Sequence, residues 1–160
     1  MSFFFDLDLS KNYSLYTVPL AWWLAHGSHV CAALMAGGLF NGLYDNLNPR
    51  TFCDIVRSTQ TIDSALKGRI LRAEAAAANG FETLGFYAAS IVAANYAGLE
   101  ARTLNLLSFT YIASRVVYVG VYIWVQHSYR TSLLRSGAFC VGIWTASALY
   151  VKAGMKLLEA

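Results

Sequence analysis

Two long apolar stretches of this chain each carry a charge in their interior, Glu82 in one and Arg115 in the other, and this limits what the chain can fold into. Inside a bilayer, an ionisable residue at the centre of a helix costs at least about 2.5–3.5 kcal/mol on insertion scales, so each needs a partner, water or a polar ligand. Composition points to that setting: 57% of the 160 residues are hydrophobic and 13% are charged, where a soluble domain carries about 25% charged residues. The length accommodates four spans of about 20 residues with short connections. The expected architecture is all-α, an integral membrane four-helix bundle in one domain over 1–160, with spans near 16–44, 64–96, 104–126 and 136–155.

Several function classes drop out early. The formal charge is only +3 and the arginines are scattered near helix ends, so nucleic acid is not an expected partner. No Gly-rich phosphate loop is present, which removes support for nucleotide chemistry. Cys31, Cys53 and Cys140 are odd in number and dispersed, implying no disulfide framework. His26 and His29 stand three apart on the first span with no Cys, Asp or third His at ligand spacing, so no metal is expected and both read as packing or interfacial residues.

The N-terminus has Asp6 and Asp8 against Lys11 alone, unlike the basic start of a signal peptide, so the first span is expected to remain as an anchor. Its small residues Ala32, Ala36, Gly37 and Gly38 read as a close-packing surface near the middle of that span. A polar connection from Asp45 to about Asp63 follows, and the second span opens on Lys67, Arg69 and Arg72. Basic residues concentrate in the first and third connections, which by the positive-inside rule places both termini on the extracytosolic side. Asn12-Tyr13-Ser14 is then a potential glycosylation acceptor. Tyr87, Tyr96, Trp124, Trp144 and Tyr150 read as interface belts and lipid-facing bulk.

Helical spacing organises the polar residues that remain. Arg72, Asn79 and Glu82 fall on one face of the second span, and Arg115, Tyr118 and Tyr122 at i, i+3 and i+7 line a stripe on the third. Facing stripes would make a pocket with a carboxylate for an ammonium, guanidinium groups for carboxylates and phenols that donate to an anion, suited to a small zwitterionic or dicarboxylate ligand. The alternative is a buried Glu82–Arg115 ion pair, satisfied by Asn79 and Tyr118, that only fixes helix register.

Tyr44-Asp45-Asn46, Asn48-Pro49-Arg50, Arg72-Ala73 and Ala78-Asn79-Gly80-Phe81-Glu82 closely resemble the MAPEG family, the membrane-associated proteins in eicosanoid and glutathione metabolism. The likeness continues through Arg115, Tyr118 and Tyr122 to Leu134-Arg135-Ser136. It implies a four-helix protomer assembling as a homotrimer, with glutathione between neighbouring subunits and a lipophilic substrate entering from the membrane lipid. It also implies that Arg72, Asn79, Glu82, Arg115, Tyr118 and Ser136 bind glutathione, and that Tyr122 and an arginine near the start of the fourth helix act in catalysis. Arg135 matches that arginine in local sequence and Arg130 in spacing from Tyr122; Arg135 is favoured.

The departures concern the ligand. Glutathione-binding members often carry an additional arginine or a histidine where this chain has Ala75 to Ala78, Gly85 replaces a common proline, and the connection from Tyr122 to Arg135 is longer. The first reading is thus a glutathione-dependent transferase or peroxidase acting on lipophilic electrophiles. The others are a glutathione-independent isomerase or cyclase using Arg115, Tyr118 and Tyr122, and a non-catalytic membrane scaffold. The expected location is the endoplasmic reticulum in a eukaryote or the inner membrane in a bacterium.

Overall fold

Helix α1 (Thr17–Met35) is ended by two glycines. Gly37 and Gly38 adopt φ of 105° and 92°, a region open to glycine and costly for side chains with a Cβ. The backbone then folds back, Leu43 N donating to Ala36 O at 3.0 Å. The structure, a computed structural model, describes residues 8–38, 42–126 and 128–159, so Asp6 and positions 39–41 of the expected first span lie outside the described residues. The helix itself stops well before Tyr44. Ala32 and Ala36 are buried, as a packing surface requires, but Gly37 and Gly38 serve the turn and not the middle of a helix.

A 3-10 turn at Pro49–Thr51 leads into a short α2 (Phe52–Ser58), which buries Phe52 and Val56, four apart, against Ile70 and Ala73. Asp63 caps α3 (Ser64–Tyr96), its carboxylate accepting from Ala65 N and Leu66 N. Lys67 Nζ clips the preceding connection by donating to Arg57 O and Thr59 O at 3.2 and 2.6 Å. A turn at Gly98 (φ 70°) leads to α4 (Ala101–Gly120), which continues as a π-helical turn, Val121–Val125. A capping box of Ser128 and Thr131 starts α5 (Tyr129–Leu158).

Among the described residues there is no strand, and the long helices α1, α3, α4 and α5 pack on one another. Two of them, α4 with its π turn (Ala101–Val125) and α5, are long and apolar enough to cross a membrane. At 33 residues, α3 is about 50 Å long, against a hydrocarbon layer of roughly 30 Å. α3 is thus longer than that layer is thick, and its basic Lys67, Arg69 and Arg72 gather toward its first half.

The α1–α3 contact is set by Gly80, where a Cβ would come within 2.6 Å of Ala25 Cβ. Near the middle, Tyr87 and Tyr111 stack with ring centroids 3.5 Å apart, and the Tyr87 hydroxyl meets Thr17 Oγ1. Tyr87 is fully buried; it belongs to the core, correcting its assignment to an interface belt. An aromatic side chain with a polar tip suits either place, and its position opposite Thr17 decides. Trp124, Trp144 and Tyr96 are exposed.

The N-terminal segment is fastened to the helix ends. Asn105, buried on α4, accepts from Tyr13 N at 2.8 Å and donates to Lys11 O at 2.7 Å. Asn12 Nδ2, the atom a glycan would occupy, donates to Asn95 Oδ1 at 2.6 Å, and Ser14 is completely buried. Asn12 itself is exposed, and its amide ties the N-terminal segment to the end of α3.

Gly80→Ala is expected to lower the thermal midpoint of detergent-purified protein, with an overpacking cost of about 1–3 kcal/mol. Adding Ala25→Gly should recover part of the loss, because the nearest clashing atom is then gone.

Candidate functional site

The two polar stripes meet through one hydrogen bond. Arg115 on α4 donates from Nη2 to Asn79 Oδ1 on α3 at 2.6 Å. Arg115 is 4% exposed. Its guanidinium carbon lies 4.6 Å from the Tyr118 ring centroid and 5.7 Å from that of Phe139 on α5. Gly142 lets α5 close over the arginine stem, since a Cβ there would approach Ser114 Oγ to 2.9 Å and Arg115 Cδ to 3.5 Å. One donor is left over: Arg115 Nη1 is buried without a hydrogen-bond partner among the described residues. An orphaned guanidinium nitrogen in a dry setting is costly and favours an anionic or carbonyl acceptor.

The π turn arranges the next layer. An i→i+5 turn admits an extra residue and is frequent at functional sites; here it takes up part of the long connection after Tyr122. Arg72 Nε on α3 donates to the Tyr122 carbonyl at 3.0 Å, fixing the turn from behind. Tyr118 and Tyr122 sit edge to face, with centroids 5.6 Å apart. From α5, Arg135 places its guanidinium carbon 4.6 Å from the Tyr122 ring centroid, while its Nη1 donates to Gln126 Oε1 at 3.0 Å. Gln126 was not among the residues singled out from sequence. Its only sequence signal is being the polar residue that closes an apolar run.

These contacts frame a cleft of about 240 Å³ lined by Asn79, Tyr118, Tyr122, Arg135, Ser136 and Phe139. Larger clefts exist, including one of about 550 Å³ between α4 and α5, but its lining, with Val117, Leu133, Leu134 and Val141, has no charged group. The smaller one is where the residues selected from sequence meet.

The structure thus brings five of the nine selected residues to the cleft wall. Arg115 stands behind Asn79, and Arg72 behind Tyr122. Arg130 is exposed in the first turn of α5 and outside the cleft lining; Arg135, just over one turn further along, is half-buried within it. Glu82 is exposed and makes no ion pair with Arg115, whose partner is Asn79 instead. The alternative of an ion pair fixing register is therefore not realised within one chain. Neither Arg72 nor Arg69 replaces what Ala75 to Ala78 omit: Arg72 is turned to Tyr122, and Arg69 lies 5.0 Å over the Trp124 ring.

Comparison with known proteins gives one match, a model described as the MAPEG family, over residues 14–155. No curated protein matches, and neither does any solved structure.

Removing the Asn79 acceptor leaves Arg115 with a second unpaired donor. Asn79→Leu is expected to destabilise the purified protein by about 1.5–3 kcal/mol, the range for hydrogen bonds to charged groups. Asn79→Asp, which keeps an acceptor for Nη2, should unfold closer to the unmodified protein in the same thermal assay.

Proposed function

The chain belongs to the MAPEG family, and on that footing we propose that it is a glutathione-dependent membrane transferase or peroxidase acting on lipophilic electrophiles. Membership carries the general statement, a membrane-associated protein of eicosanoid or glutathione metabolism. The particular reaction is our reading of the cleft. The observation that carries it is Arg135 at the wall of a cleft whose described lining contains no carboxylate, with the buried guanidinium of Arg115 directly behind Asn79 of that wall.

This donor set fits a peptide thiol with carboxylate ends. Arg135 offers a charge-assisted hydrogen bond to a carboxylate or amide carbonyl, Asn79 an amide, and Tyr118 and Tyr122 phenols, while Arg115 behind Asn79 adds positive charge. When bound, glutathione supplies the thiol that reacts with the electrophile. Arg135 acts by electrostatics: a positive charge near the sulfur favours its deprotonated form and holds it in a preorganised site. Gln126 restrains one edge of that guanidinium, and the Tyr122 ring supports its face.

We further propose a homotrimer with the site completed between subunits. At about 240 Å³ the cleft is smaller than the roughly 300–1,000 Å³ of ordinary ligand pockets. Glu82, exposed between Phe81 and Gly85 on α3, would face lipid in a lone protomer at a cost of several kcal/mol. A neighbouring subunit and the ammonium of the tripeptide would both relieve that cost. A four-helix protomer in the endoplasmic reticulum or a bacterial inner membrane is the matching arrangement.

One observation favours a second reading. The Ala75–Ala78 face gains no substitute from Arg69 or Arg72, so a glutathione-independent isomerase or cyclase would use Tyr118, Tyr122 and Arg115 on the lipophilic substrate itself. A non-catalytic scaffold is weakened by the missing Glu82–Arg115 pair.

Glutathione binding to the purified oligomer by calorimetry separates these readings. The expected result is saturable binding that Arg115→Ala weakens by roughly ten- to a hundredfold; absence of binding by an intact oligomer would overturn the proposal and leave the isomerase. In conjugation assays, Arg135→Ala is expected to lose about 10²–10³-fold in kcat and to move the rising limb of its pH profile to higher pH. Arg130→Ala should change neither. Equal losses in the two variants would remove Arg135 from its role.

A further inference from the structure

A second polar cluster lies on the opposite side of α3. His29 Nδ1 on α1 is 2.6 Å from Glu74 Oε1 on α3, and His29 Nε2 is 3.3 Å from the hydroxyl of Tyr44. The carboxylate holds the imidazole proton on Nδ1, leaving Nε2 as the acceptor of the phenolic proton. Carboxylate, imidazole and hydroxyl thus stand in the order that activates a hydroxyl nucleophile: a base within hydrogen-bond reach, oriented by a third group.

The fold brings the three together with some effort. Tyr44 reaches His29 because α1 ends at Gly37 and Gly38 and the chain returns by Gly42, where a Cβ would collide with Ala36 O. Phe52 holds the Tyr44 ring edge to face at 5.2 Å. The relay is not sealed: the His29 and Glu74 side chains keep 26% and 18% of their exposure. An aromatic path leads to it from the outer surface of α1, through exposed Trp22 stacked on His26 at 4.9 Å, with His26 6.2 Å from His29. The nearby thiol is not a rival nucleophile. Burial, reinforced by the Glu74 carboxylate, pushes the Cys53 thiol above its usual range, so it stays protonated at neutral pH.

We propose that Tyr44 is an activated acyl acceptor, with His29 as its general base and Glu74 as the residue that positions the base, acting on amphiphilic carboxylic esters that approach along the aromatic path. Tyr44 Oη attacks the ester carbonyl carbon while its proton passes to His29 Nε2; the carbonyl carbon–alkoxy oxygen bond breaks, and the leaving alcohol takes that proton. Water then attacks the acyl-tyrosine with the same base, releasing the carboxylic acid and restoring the phenol. No thiol and no redox partner enters, so this site works or fails independently of glutathione binding.

The test treats the full-length purified protein, free of thiols, with p-nitrophenyl butyrate and locates acyl groups by peptide mass spectrometry. Tyr96 and Tyr16, both highly exposed, serve as internal references. The expected result is acylation of Tyr44 at least about 100-fold faster than of either reference, in line with general-base assistance, with p-nitrophenol release that Tyr44→Phe abolishes. Glu74→Gln should slow the labelling at least about tenfold by loosening control of the tautomer. Labelling of Tyr44 no faster than Tyr96 in the unmodified protein overturns the proposal, whether or not the variants fold.

Discussion

A guanidinium buried among apolar helices must be held by something, and here the amide of Asn79 does it. The bond from Arg115 joins α3 to α4, and the surrounding geometry is arranged about it. Asn79 is kept at the cleft wall, Tyr118 is stacked against the cation, and Gly142 is required so that α5 can cover the arginine stem. Because a neutral amide takes one nitrogen, the other remains a donor without a protein acceptor. A carboxylate in place of the amide would neutralise the site; the amide leaves it positive, which is what an anionic ligand needs.

Around this centre the protein separates stability from chemistry. The α1–α3 contact at Gly80 and the Tyr87–Tyr111 stack use small residues and satisfied phenols to close the core. The last turns of α4, the π turn and the start of α5 carry the polar groups that line the cleft or stand behind it. Arg72 spans the two regions: its place in sequence suggests ligand binding, but its contact with the Tyr122 carbonyl makes it a support for the residue that lines the cleft. The same division recurs on the other face of α3, where Glu74 supports His29 and His29 faces Tyr44.

Much of this was legible in the sequence because helical periodicity is local. The i, i+3, i+7 order of Arg115, Tyr118 and Tyr122, and the spacing of Asn79 after Arg72, place side chains on a face before any partner is known. Leu134-Arg135-Ser136 could be recognised, but spacing from Tyr122 pointed to Arg130, because counting residues assumes a regular turn. The chain instead leaves the π turn and starts a new helix at Tyr129, on which Arg135 comes over the Tyr122 ring. Gly37 and Gly38 read from sequence as packing residues within a longer span, and only their positive φ identifies the end of the helix.

The sequence by itself determined an apolar, all-helical chain of this family, with its charges placed on particular helix faces, because composition and period depend on neighbours along the chain. The tertiary structure decided which polar groups meet. It gave Arg115 to Asn79 instead of Glu82, buried Tyr87, and joined Glu74 to His29 across 45 residues. Those outcomes depend on the rotation and approach of packed helices, set by close contacts such as Gly80 with Ala25, and no local pattern encodes them.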